Sequence, residues 1–72
     1  MQRFLYKDQD GKGSTSGWVV WGFNHINQRR QFAFDGVHWF YQPSNKEPFI
    51  IVSESEIPQN VKTTMEQKRA NR

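Results

Sequence analysis

Between Gly17 and Tyr41 lie eight of the eleven aromatic residues of the chain, and one Asp-Gly pair, Asp35-Gly36, divides them into two apolar runs. Asp-Gly accepts the positive φ of a tight turn, so GWVVWGFNHINQRRQFAFDGVHWFY predicts strands folded back as hairpins. If Asp35 and Gly36 are the two turn residues, Phe34 faces Val37, Phe32 faces Trp39 and Arg30 faces Tyr41. One hairpin face is then Phe32, Phe34, Val37, Trp39 and Tyr41, expected in the core. The other is Gln31, Ala33, His38 and Phe40, expected half exposed. A slip of one residue would exchange the two faces.

A chain of 72 residues has room for one domain. At that size only about 60% of the unfolded surface is buried, and stability is marginal without a staple. The chain has no cysteine, which excludes disulfides and thiolate metal cages and fits a reducing compartment. The rings are therefore expected to take the part of staples, with about two-thirds of them in the core. No apolar run approaches the roughly 20 residues of a membrane span. The expectation is a soluble, cytoplasmic protein.

In chain order, Arg3 to Lys7 reads as a strand and Asp8 to Gly17 as a polar, glycine-containing loop. Trp18 to Phe23 alternates as a strand, with Val19, Trp21 and Phe23 on one side and Trp18, Val20 and Gly22 on the other. Asn24 to Gln28 is a turn, Arg30 to Phe34 and Val37 to Gln42 are strands, and Pro43 to Pro48 is a loop. Phe49 to Ser53 is a strand without alternation, as when both faces are covered. From Pro58 the pattern turns helical, with Ser55 or Glu56 as capping candidates and a stripe of Ile57, Val61 and Met65. After Met65, EQKRANR brings no apolar residue larger than alanine and is expected to fray. The prediction is a mainly β protein: a small five-stranded antiparallel barrel or curled sheet, of SH3-like or OB-like size, with a short C-terminal helix. Residues 1–61 form the β domain; 58–72 form the helix and a basic tail.

Gly17-Trp18-Val19-Val20-Trp21 with Phe23-Asn24 resembles the opening strand of cold-shock domains, and Asp35 to Tyr41 resembles the aromatic strand of choline-binding repeats. Both likenesses end at those residues, and the chain is assigned to neither family.

Motifs for chemistry fail at named positions. Gly11-Lys12-Gly13-Ser14-Thr15 lacks the upstream glycine of a phosphate loop, where Tyr6 stands, and the hydroxyl residue after lysine. Read as a calcium loop from Asp8, the chain puts Lys12 at the fifth ligand position and Val19 at the twelfth. His25 and His38 have no metal-ligand spacing, and no serine sits in a nucleophile motif. Glu54 and Glu56 would need a cleft that a chain this short scarcely builds. No enzyme activity, cofactor or metal is expected.

The charge of +3 is unevenly placed. Residues 1–61 carry six basic and six acidic side chains; residues 62–72 carry Lys62, Lys68, Arg69 and Arg72 against Glu66. A neutral body favours a protein partner: an adaptor, an inhibitor or a small subunit, of the kind a phage or mobile element encodes. Single-stranded RNA or DNA is the alternative, with rings stacking on bases and the basic tail and Arg29-Arg30 meeting phosphates. No membrane partner is expected. The candidate binding residues are Trp18, Phe40, His38, Arg29, Arg30, Lys68, Arg69 and Arg72.

Overall fold

Backbone pairing, more than side-chain bulk, builds the first hairpin. In the computed structural model, which describes residues 1–71, β1 (Gln2–Asp8) pairs along its whole length with the first half of β2 (Gly11–Phe23). The turn is Gln9-Asp10; Asp8 Oδ1 accepts the Asp10 N–H at 2.8 Å, and Gly11 takes φ 131°. The expected loop from Asp8 to Gly17 is thus mostly strand. Gly11 to Ser16 has poor strand propensity, and its ladder to β1 overrides that weak local preference. The acids that resembled a calcium loop shape this turn, and the glycines that resembled a phosphate loop lie in a ladder.

The second half of β2 leaves β1 and pairs with β3 (Arg29–Phe34), placing Val19 opposite Ala33 and Trp21 opposite Gln31. Asn24 organises the intervening turn. Its Oδ1 accepts N–H groups from Ile26 and Gln28, and its Nδ2 donates to the Tyr41 hydroxyl at 2.9 Å. Asn27 takes the left-handed φ of 62° that asparagine tolerates.

Strand β4 is Trp39–Tyr41, with Phe34 opposite Trp39 and Phe32 opposite Tyr41. The tip is Gly36-Val37 rather than Asp35-Gly36. Asp35 N–H donates to His38 O at 3.2 Å, and Gly36, at φ 102°, occupies the first turn position. Asp35 is the acceptor that fixes this tip: its Oδ1 takes the Val37 and His38 N–H groups at 2.8 and 2.6 Å. The register is two residues from the predicted one. An even slip keeps each side chain on its expected side, although Val37 is exposed at the tip.

β5 (Phe49–Val52) pairs antiparallel with β4 and parallel with β1, closing a five-stranded barrel. Five alternating strands leave the first and last pointing the same way, so the closing seam is parallel. The seam consists of Tyr6 opposite Phe49 and Lys7 opposite Ile50. A 3₁₀ turn at Glu54–Glu56 leads to α1 (Gln59–Ala70), whose N-cap is Pro58, without a side-chain cap from Ser55 or Glu56.

Two cores result. Phe4, Val19, Ala33, Phe40 and Phe49 fill the barrel, with Tyr6 against them. Val20, Phe32, Ile57, Val61 and Met65 pack between the outside of the barrel and α1, ringed by Trp18, Phe34, Trp39, Tyr41 and Val52. The face containing Ala33 and Phe40, expected half exposed, is the barrel interior, and its opposite lies under the helix. At Gly22 the helix comes so close that an added Cβ would stand 2.6 Å from Val61 Cγ2.

α1 runs past Met65 because its cations find partners. Lys68 Nζ donates to Val19 O at 2.6 Å. The Arg69 guanidinium carbon lies 5.1 Å from the Trp18 ring centre and 4.9 Å from that of Phe34. The amide of Asn60 accepts from Phe23 N–H and donates to Phe23 O, as a neighbouring strand would. Among the described residues no helix is long and apolar enough to cross a membrane.

Candidate binding surface

The sequence-predicted site residues do not come together. Phe40 is 2% exposed, with the Phe4 ring 5.0 Å away edge-on and Tyr6 at 5.5 Å. It is a core residue, because both faces of its strand are covered. Trp18 is half buried beneath Arg69. Lys68 and Arg69 hold α1 to the barrel, and Arg72 lies outside the described residues. His38 is exposed at the β3–β4 turn, its Nδ1 3.6 Å from Asp35 Oδ2. Burial acts to raise the Asp35 carboxyl, but the N–H groups of His38 and Val37 and the His38 ring outweigh it and hold it below the ordinary aspartate value.

Arg29 and Arg30 point the way to a different pair of rings. Trp21 and Phe23 lie two residues apart on one side of β2 and are 42% and 48% exposed. The Arg29 guanidinium lies 4.5 Å over the Trp21 ring. Arg30 turns to the other side, where Nε donates to Pro43 O at 2.9 Å and a terminal nitrogen to Arg29 O. Trp21 and Phe23 share their strand face with Val19, which is inside the barrel. Trp21 stands opposite Gln31, one position beyond the last β3–β4 pair, Phe32 with Tyr41. The inner face of the sheet therefore continues past the end of the barrel as an open platform. The missed signal was in the turn: Asn24 to Gln28 ends this side of the barrel, and rings next to such an end run out of cover.

The platform continues sideways through two glutamines. Gln31 Nε2 donates to Gln42 Oε1 at 3.1 Å, and Gln42 Nε2 donates to Glu47 O at 2.9 Å. Gln42 lines a groove of about 690 Å³ between the β1–β2 hairpin and the β4–β5 loop, whose walls include Tyr6, Lys12, Lys46, Pro48 and Phe49. No ion pair forms there among the described residues; the two in the structure are His38–Asp35 and Lys62–Glu54. Nor do the described residues include a group of three or more His, Asp or Glu that could hold a metal ion.

Comparison with protein families, with curated proteins and with solved structures finds no match.

Proposed function

We propose that the protein is a non-catalytic binding module, an adaptor, inhibitor or small subunit, that holds a protein partner through Trp21, Phe23 and Arg29. One observation carries this reading. Two large rings stand side by side on an open strand face, with a guanidinium stacked on one of them. A domain this small depends on burying its rings, and Trp with Arg predominates among residues that anchor protein interfaces. The cysteine-free composition supports a reducing, cytoplasmic setting.

What weighs against the nucleic-acid alternative is that the described tail cations and Arg30 are already engaged. Lys62 pairs with Glu54, Lys68 caps a carbonyl, Arg69 covers two rings and Arg30 holds the β4–β5 loop. Arg29 already covers one face of Trp21, where a base would stack.

The test is affinity capture from a lysate, with and without nuclease, using the wild-type protein and a Trp21→Ala/Phe23→Ala variant. The expected result is a defined protein retained despite nuclease and lost with the variant, while the variant keeps its melting temperature within a few degrees. Retention abolished by nuclease would move the reading to nucleic acid. Retention that ignores the variant would remove these rings from the site.

A further inference from the structure

The charge pattern around the groove defines the partner's chemistry more closely, on the premise that Trp21 and Phe23 form the contact surface. Arg29, Lys12 and Lys46 make no side-chain hydrogen bond or ion pair among the described residues, and all three lie on the platform or in the groove. Glu47 is the one acid in the groove lining. The body as a whole is neutral, and five of its six carboxylates lie outside the groove lining, although Asp8 and Asp10 sit on the same hairpin tip as Lys12. Asp8 and Asp10 are at the β1–β2 turn, Asp35 is at the β3–β4 turn, and Glu54 and Glu56 are beside the helix. A face with a net excess of cations on a neutral body attracts a negative partner.

The walls add a second requirement. Tyr6, Pro48 and Phe49 give the groove an apolar floor, and the two glutamines between groove and rings present amide donors and acceptors. We infer that the surface takes an extended acidic protein segment. Its apolar anchor rests on Trp21 and Phe23, its backbone crosses Gln31 and Gln42, and its carboxylates meet Lys12 and Lys46. Glu47 beside Lys46 makes the groove mixed in sign. That suits carboxylates spaced along a peptide better than a continuous phosphate chain, which would meet Glu47 at close quarters.

The experiment is selection from a displayed library of random twelve-residue peptides on the immobilised full chain. Recovered peptides are then titrated against wild type, Lys12→Glu/Lys46→Glu and Trp21→Ala. Both lysines are exposed, and thermal melts check that each variant folds. The expected outcome is enrichment of peptides combining Asp or Glu with an aromatic or large aliphatic residue. Charge reversal should weaken them by about tenfold or more, chiefly in association rate, with strong salt dependence. Amide shifts in ¹⁵N spectra should appear together at Tyr6, Gln42 and Lys46 and at Trp21. Peptides that need Trp21 but carry no acidic bias and ignore the charge reversal would overturn this inference and leave the binding module standing. Peptides that ignore Trp21, or no enrichment at all, would overturn both. A homopolymeric single-stranded oligonucleotide bound more tightly than any selected peptide, and released by the charge reversal, would replace the peptide with nucleic acid.

Discussion

Phe40 and Trp21 show how differently two rings of one sheet can be employed. Phe40 lies against Phe4 and Tyr6 inside the barrel. Its truncation to Ala removes that burial and leaves a cavity, at a cost of about 3–5 kcal/mol. Small domains have total stabilities of roughly 5–15 kcal/mol, so Phe40→Ala should lower the thermal midpoint drastically or abolish the transition in circular dichroism. It should do so as a folding defect, not as the loss of a binding anchor. Asp35 is a second residue with a definite part. Its carboxyl titrates below the ordinary aspartate value in the folded protein, despite the opposing effect of burial, because it receives the His38 and Val37 N–H groups and faces the His38 ring. A lowered folded-state pKa means the stabilisation is present above the unfolded value and is lost as pH falls through the folded one. Denaturant titrations should show wild type losing stability from about pH 4 downward, and Asp35→Asn should lack that component. Identical acid profiles would show that the carboxylate contributes nothing at the turn.

The helix is the element whose employment most exceeds its apolar content. Ile57, Val61 and Met65 make a readable stripe, and all three are buried. By apolar area alone, residues after Met65 should be dispensable. The structure gives Lys68 and Arg69 partners on β2 and β3, so truncation after Met65 should lower the melting temperature by several degrees, on the scale of about 1 kcal/mol in a domain of this size. An unchanged midpoint would mean that the two cations dock without stabilising. Gly22→Ala probes the same packing from the strand side, since the new methyl would be driven into Val61. Its melting temperature should fall, although alanine is the better strand residue in isolation. Neither contact was legible in the sequence: Lys68 and Val19 are 49 positions apart, and no periodicity connects them.

At the scale of the whole molecule, the barrel is closed by a short parallel seam, while β2 with β3 is paired over six positions. Local opening should begin where the ladder is shortest. Amide hydrogen exchange should therefore be faster at the β1–β5 seam, Lys7 and Ile50, than at Val20 and Phe32. Uniform protection across both would indicate that the barrel opens only by global unfolding. The rings of Trp21 and Phe23 occupy the face of β2 opposite to the one α1 covers, but the strand beneath them is tied to the helix, through Asn60 at the Phe23 backbone and Val61 against Gly22.

The sequence by itself determined the class: a small, mainly β barrel with a C-terminal helix. Ring-rich alternating runs cut by turn residues can bury themselves in so short a chain in few other ways. Even the missed first hairpin was signalled, since Asp10-Gly11 repeats the dipeptide at Asp35-Gly36. What only the tertiary structure decided is which rings stay outside. A period of two says that Val19 and Trp21 share a face, and likewise Ala33 and Gln31. It does not say how far along that face the cover extends. On the inner face the cover ends where β4 stops pairing with β3, and α1 covers only the outer side, both set by contacts distant in sequence. Those contacts put Phe40 in the core, bound Lys68 and Arg69 to the barrel, and left Trp21 and Phe23 at its open end.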